Sequence, residues 1–163
     1  MATIQFKKGD EYLMRLSKLE ALLRRDVCGT AIYGAAGIVA DEIALQLSQI
    51  PTDEHWGTPE RPASGPREVE AQAIYNGLGI AKLQETGTGF LNVKIGFDGY
   101  SKLRTKRWPQ GQPVQMLARS VERGTSFMRA NPFVKRAVAA KRKAAVESMK
   151  RTIDEETKKI MKG

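Results

Sequence analysis

The most constraining feature of the sequence is a run of thirty residues near its end that contains neither proline nor glycine. The run follows Asn131-Pro132, where an N-capping side chain precedes a proline suited to the first turn of a helix. At about 1.5 Å per residue, a helix from Pro132 to Met161 is about 45 Å long, which exceeds the width of a small domain. The sequence therefore predicts that part of this helix leaves its own core and lies on another surface.

An apolar row follows one face of the predicted helix almost to its end. Its members are Val134, Val138, Ala145, Met149, Ile153 and Ile160. Because the row continues past the expected width of the domain, its far end would expose apolar surface unless another protein surface packs on it. We therefore expect Met149, Ile153 and Ile160 to contact a partner.

Charge is unevenly distributed along the 163 residues, whose formal net charge is +9. Residues 1–100 hold 10 basic and 13 acidic side chains, a net of −3, whereas residues 101–163 hold 17 basic and 5 acidic ones, a net of +12. A basic part of this kind suits nucleic acid, an acidic protein or a neighbouring subunit. Charge alone does not select one of these partners.

The residue types that most metal and nucleophile chemistry requires are nearly absent. The chain has one cysteine, Cys28, and one histidine, His55, so an internal disulfide is impossible and a reducing compartment is expected. The usual zinc, iron and Cys-His arrangements lack their second residue, and no phosphate-binding glycine pattern opens a helix. We predict that the chain is not an enzyme, that it has no cofactor or metal, and that His55 is an exposed loop residue.

Two helices are predicted in the first fifty residues. Asp10 caps the first, whose apolar row is Tyr12, Leu16, Leu19 and Leu23. The second runs from about Val27 to Ile50, and a start near Ala35 is the alternative. Its apolar row is Ile32, Ala35, Val39, Ile43, Leu47 and Ile50.

Glycines interrupt the least polar part of the second predicted helix. Gly29, Gly34 and Gly37 each reduce helix propensity by roughly 1 kcal/mol relative to alanine, and we expect close approach of another helix to compensate. The apolar run Val27–Ala40 is 14 residues long, shorter than the about 20 that a membrane span needs, so a packed helix is expected. Residues 1–10 lack the pattern of a signal peptide, which favours the cytoplasm.

Two long loops are predicted, at residues 51–66 and 98–112. The first has four prolines and two glycines and carries Trp56, and a loop of this length often contacts a partner. The second carries four basic residues followed by a tryptophan, namely Lys102, Arg104, Lys106, Arg107 and Trp108. These side chains could grip a phosphate backbone and stack on a base. We favour the alternative of a solvated loop whose tryptophan packs on the domain or on a subunit.

Short elements are predicted between and after these loops. A helix over Arg67–Asn76 ends at Gly77, and extended runs at Leu83–Glu85 and Phe90–Phe97 form a hairpin around a glycine-rich turn. A helix then runs from Pro113 to Gly124. Its apolar residues are Val114, Met116, Leu117 and Val121. The fold class is α+β in one domain spanning 1–163: N-terminal helices, one small antiparallel β-sheet and a long C-terminal helix.

The residues from Ala118 to Ala137, called the signature segment below, join the last two predicted helices. Gly124 suits a left-handed helix end, Thr125 and Ser126 suit a bend, and Thr125 to Ala130 is a short extended link. Asn131 and Pro132 then restart the helix, and Phe133 anchors it. No base for a nucleophile is implied nearby, so we interpret the segment as fold architecture that sets the angle between two helices.

The signature segment resembles that of a tailed-bacteriophage family, the lambda-like head–tail joining or tail-component proteins. The matching residues are Glu122, Gly124, Thr125, Ser126, Ala130, Pro132, Phe133 and Ala137. Arg123 replaces the usual aromatic residue, and Arg136 falls where the family often has proline. The run Val93–Phe97 is similar to the family's central strand. The resemblance spans about residues 10–160 and is specific in the last fifty.

The resemblance implies a structural virion protein of the phage neck, assembled in the cytoplasm of a bacterial host. Such proteins form rings, usually hexameric, which join the head to the tail or terminate the tail tube. The implied partners are other copies of the chain, a head-closure or connector protein, the tail tube protein and the DNA that passes through the channel, with no membrane. Unlike halves of neighbouring subunits can pair by charge.

A basic DNA-binding protein is the alternative function. A sequence pI near 9.8 and the loop at 102–108 favour it. The absence of a recognition-helix motif and the acidic run Asp154–Glu156 in the last helix argue against it. We also expect cationic channel walls to hold back passing DNA, so a neighbouring subunit or tail protein is the preferred partner of that loop.

Overall fold

The computed structural model describes residues 23–162, together with residues 17, 20 and 21. From residue 23 onward, a π-helical turn, Leu23–Val27, leads into α1 (Cys28–Ser48), which is followed by α2 (Glu68–Gly77), α3 (Val114–Arg123) and α4 (Phe133–Lys162). Four short strands lie between α2 and α3: β1 (Leu78–Ile80), β2 (Gln84–Glu85), β3 (Leu91–Asn92) and β4 (Ile95–Phe97). The α+β prediction is confirmed. Of the first predicted helix, Ser17, Glu20 and Ala21 are helical and Leu23 begins the π-helical turn, whereas Tyr12, Leu16 and Leu19 lie outside the described residues.

The two longest helices run antiparallel along each other. Phe133 and Ala137 at the start of α4 share a core with Leu47 near the end of α1. Further along, Lys141 Nζ lies 3.7 Å from Glu42 Oε2, and the helix also contacts the π-helical turn. The first part of α4 therefore packs along α1, and Ala145 is the last buried residue of the helix among those whose burial the structure describes. The contact of its far end with a partner stays a prediction.

The start of α1 agrees with the longer of the two predicted helices, and a start near Ala35 is wrong. The predicted reason for its glycines is also wrong. Among the residues that the structure describes, a Cβ atom on Gly34 or Gly37 would have nothing within 4 Å, and one on Gly29 would lie 2.9 Å from the Leu83 side chain, which belongs to no helix.

Together the π-helical turn and α1 form a helix of 26 residues, Leu23–Ser48, with a mean hydropathy of 1.3. Among the described residues this helix alone is long and apolar enough to cross a membrane, a property that core helices of soluble proteins share. Ala31, Ala35 and Ile43 are buried within the protein, as a packed helix requires.

The core lies where α1, α2, α3 and α4 meet. Its centre is Ile74, Val114, Leu117, Val121 and Phe133. The ring of Phe133 is fully buried and meets Phe97 edge to face, with centroids 5.9 Å apart. Met116 and Val138, both predicted on apolar faces, are 43% and 41% exposed because they lie beside the buried rows of their helices.

The strands form two antiparallel pairs rather than the single sheet that was predicted. Leu78–Ile80 pairs with Ile95–Phe97, and Gln84–Glu85 pairs with Leu91–Asn92. The hairpin is thus confirmed, but the predicted strand Phe90–Phe97 is broken at residues 93–94. Gly77 does end α2, although its role is close approach: a Cβ atom there would lie 2.4 Å from the Asp98 carbonyl oxygen.

Candidate interaction surface

The first half of the signature segment is a tight turn at the end of α3. Gly124 has φ 74° and ψ 170°, a combination essentially restricted to glycine. The Thr125 amide donates to the Met128 carbonyl at 2.8 Å, and the Phe127 amide donates to Thr125 Oγ1 at 3.2 Å. The predicted role of Thr125 in the bend is confirmed, whereas the predicted extended link at 125–130 is wrong because the chain folds back on itself.

The second half of the segment fixes the start of α4 through a side chain on α3. The amides of Val134 and Lys135 donate to the two carboxylate oxygens of Glu122, at 2.8 and 3.0 Å. A carboxylate at a helix N-terminus satisfies unpaired amides and meets the positive end of the helix dipole. Glu122 therefore ties α3 to α4 at a fixed angle.

The prediction that Asn131 caps α4 with its side chain is wrong. Its amide nitrogen instead donates to the Ser64 carbonyl at 3.0 Å and the Arg129 carbonyl at 3.3 Å. The Pro132 carbonyl accepts the first helical hydrogen bond of α4, from Arg136. Asn131 thus joins the loop at 51–66 to the signature segment.

Replacing Glu122 with alanine is expected to lower the free energy of unfolding by about 1–3 kcal/mol, because two amides of α4 lose their acceptor. Urea denaturation of the purified protein measures the change. Glu147→Ala, at an exposed position of α4, is the matched control and should change the value by less than about 0.5 kcal/mol. Equal effects of the two substitutions would contradict the role given to Glu122.

The loop at 51–66 is attached to the turn of the signature segment. The Ala63 amide donates to the Phe127 carbonyl at 2.8 Å, and the Arg129 amide donates to the Ala63 carbonyl at 2.9 Å. A Cβ atom on Gly57 would lie 1.7 Å from the Phe127 carbonyl oxygen, so only glycine fits this contact. The loop and the turn therefore form one surface.

Asp53 organises the interior of this loop. Its carboxylate accepts hydrogen bonds from the amides of Ser64 and His55, at 3.0 and 3.1 Å, and from the Ser64 hydroxyl at 3.2 Å. These bonds hold the pKa of Asp53 well below its usual value of 3.8, and the bond from the Ser64 amide contributes most to the shift. His55 Nδ1 also lies 3.2 Å from the carboxylate, and the His55 side chain is 87% exposed, which confirms its predicted exposure.

Asp53→Ala is expected to accelerate amide hydrogen exchange at residues 53–66, above all at Ser64, and to leave exchange in α4 unchanged. Because the folded-state pKa is below the unfolded-state value, the carboxylate favours folding above about pH 4. That contribution is lost only as the pH falls further, so the loop should stay protected in mildly acidic buffer. Loss of protection between pH 5 and pH 7, far above the pKa, would contradict this account.

Asp53, His55 and Ser64 are the residue types of a serine hydrolase, but their order differs from a catalytic relay. Both His55 and Ser64 bind the carboxylate, whereas nucleophile activation requires histidine between serine and aspartate. Residues 23–162 also contain no group of three or more His, Cys, Asp and Glu side chains that could hold a metal ion. The cluster of Asp53, His55 and Ser64 instead stabilises the conformation of the loop at 51–66.

Two large aromatic side chains project from the joined loop and turn. Trp56 is 76% exposed and Phe127 is 56% exposed, and both line a cavity of about 290 Å³ together with Met128. The Arg67 guanidinium lies 4.0 Å from the centre of the Trp56 ring. Exposed aromatics beside a hydrogen-bonded, well-defined backbone are typical of contact surfaces.

The loop at 98–112 closes on the same side of the molecule. Its ends are joined by the Ser101 amide, which donates to the Gln112 carbonyl at 2.9 Å, and Gln112 also lines the cavity below Trp56. Four of its predicted contact residues are exposed, namely Lys102, Arg104, Lys106 and Arg107. Trp108 is half-buried, with the Arg107 guanidinium 5.9 Å from its ring centre.

The predicted contacts on α4 lie elsewhere. Met149 and Ile153 are half-buried and Ile160 is 37% exposed. Ile160 is about 40 Å of helix beyond Phe133, so the structure does not bring this end together with the loops.

Comparison of the chain with protein-family models, with curated proteins and with solved structures gave no match.

Proposed function

We propose that this chain is a structural virion protein of a tailed-phage neck. It would join the head to the tail, or terminate the tail tube, as one subunit of a ring around the DNA channel. One observation carries the proposal: the residues that match the phage signature work together in one joint. Glu122 caps α4, Gly124 ends α3, Thr125 bends the chain and Phe133 anchors α4 in the core.

The exposed surface supports a role in assembly. Trp56 and Phe127 project from a hydrogen-bonded frame beside a second loop that carries four exposed basic side chains. A closed ring needs unlike surfaces that meet between neighbours, and the net charges of −3 and +12 in the two parts of the chain suit such contacts.

Loss of the gene in the phage or prophage that encodes it tests this proposal. The expected result is DNA-filled heads and separate tails, because the part that connects them is missing. Complementation with Trp56→Ala should leave the fold intact and impair joining, while Leu45→Ala, another exposed apolar position, should restore it. Normal infectious particles without the protein would overturn the proposal.

Binding to DNA is the second candidate function, and the outer face of α4 favours it. Arg136, Lys143 and Lys150 follow one another at intervals of seven residues, and all three are exposed. Among the described residues none of them forms an ion pair. If this row binds phosphates, the logarithm of the association constant for duplex DNA should fall linearly with the logarithm of the salt concentration. The slope should be about −0.9 for each phosphate contact. Changing the three residues to glutamate should then abolish retention of the protein on immobilised DNA. Weak retention that the change does not affect would favour the neck proposal over DNA binding.

A further inference from the structure

A second row of side chains on α4 is left uncovered by α1. The buried row contains Phe133, Ala137 and Ala145. Val138 and Val146, which lie beside that row, are 41% and 44% exposed, and Arg142 lies between them at four-residue spacing. Residues four apart share one face of a helix, so this flank is apolar with a cation at its centre. We call it the α4 flank, defined by Val138, Arg142 and Val146.

A groove of complementary character lies between α2 and the start of the loop at 98–112. Its volume is about 450 Å³, within the range of binding pockets, and its apolar lining includes Val69, Ala73 and Tyr100. Val69 is 42% and Tyr100 64% exposed. The acidic residues Glu68 and Asp98 also line the groove, as does Lys102.

We propose that the α4 flank of one copy docks into this acid-rimmed groove of the next copy. The proposal rests on the ring proposed above and names the two surfaces that meet. Val138 and Val146 would cover Val69 and Tyr100, while Arg142 faces Glu68 and Asp98. Because one surface meets a different surface, the contact is heterologous and repeats from subunit to subunit.

Charge favours the groove, rather than a second α4 flank, as the surface that the α4 flank contacts. Two flanks facing each other would bring Arg142 against its own copy, and like charges across an interface are unfavourable. The groove instead has two acidic residues, Glu68 and Asp98, and one lysine beside its apolar lining. An apolar contact with opposite charges at its edge is the usual anatomy of a protein interface.

Cysteine pairs in a Cys28→Ser background test the contact. Val69→Cys and Val146→Cys replace half-exposed side chains, so the fold should tolerate both. In solution, the two single variants are mixed at the highest soluble protein concentration and then oxidised. In a parallel experiment, particles assembled from both variants are oxidised. We expect disulfide-linked dimers in the mixture of the two and in neither variant alone, with Leu45→Cys, exposed on α1, as the matched control.

The outcomes separate the interface from the ring. Links within one variant alone, links to Leu45→Cys as abundant as those to Val69→Cys, or no links at all would overturn the interface. A chain carrying both cysteines should give a ladder of linked copies. A ladder that ends in a closed species supports both proposals, and one that continues without closure supports the interface while contradicting the ring. A closed ring without these links supports the ring and overturns the interface.

Charge reversal provides an independent readout. Arg142→Glu alone and Glu68→Lys alone should each weaken self-association at least tenfold. The double variant should recover most of the loss, because the opposite charges are restored in exchanged positions. Failure of the double variant to recover any association would overturn the pairing of Arg142 with Glu68.

Discussion

Phe133→Ala is expected to lower the free energy of unfolding by about 3–5 kcal/mol, the usual cost of removing a buried aromatic ring. Phe133 is fully buried, meets Phe97 edge to face and belongs to the core that α1, α2, α3 and α4 share. It also stands at the first residue of α4, so the cavity would open where that helix is anchored. Chemical denaturation followed by circular dichroism measures the change.

Phe127→Ala is the matched control, because Phe127 is 56% exposed and contributes to the fold through its backbone. We expect a change of less than about 1 kcal/mol. A Phe133→Ala protein as stable as the Phe127→Ala protein would contradict the position given to Phe133 in the core.

Gly124→Val is expected to destabilise the protein by about 3 kcal/mol or more, because a φ of 74° with ψ of 170° strains any residue with a side chain and valine is β-branched. A Cβ atom at this position would also lie 2.8 Å from the Ala130 amide nitrogen, so the returning backbone of the turn would have to move. Thermal unfolding should show a large drop in Tm.

Gly37→Ala provides the opposite expectation within the same protein. Gly37 lies inside α1, and a Cβ atom added there would have nothing within 4 Å, so alanine should stabilise the helix by up to about 1 kcal/mol. If both glycine substitutions changed Tm in the same direction, the distinction between a required and a replaceable glycine would be wrong.

The helices were predictable because their signals are local. Proline at 113, glycine at 124 and the unbroken run after Pro132 mark boundaries that the structure reproduces within a residue or two. Strand β1 was not predicted because it has only three residues, Leu78–Ile80, and is defined by its pairing with the distant residues Ile95–Phe97. The break in the predicted strand at residues 93–94 likewise has no local signal.

The interaction surface was only partly predictable, since long-range hydrogen bonds build it. Trp56 stood out from its loop, but its position beside Phe127 depends on pairing between Ala63 and the signature segment. The cap of α4 comes from Glu122, more than ten residues earlier, while the local rule favoured Asn131. The sequence also does not reveal that α1 runs alongside α4, while the partner expected at the far end of α4 stays a prediction.

The position and copy number of this chain in assembled particles test the central proposal most directly. Electron microscopy of particles labelled with an antibody to the chain, together with quantitative mass spectrometry, would provide both. The neck proposal predicts label only at the junction of head and tail, and several copies per particle in a ring, with a hexamer expected from the resemblance. A single copy per particle, label on the head shell or along the tail, or absence of the chain from the particle would contradict it.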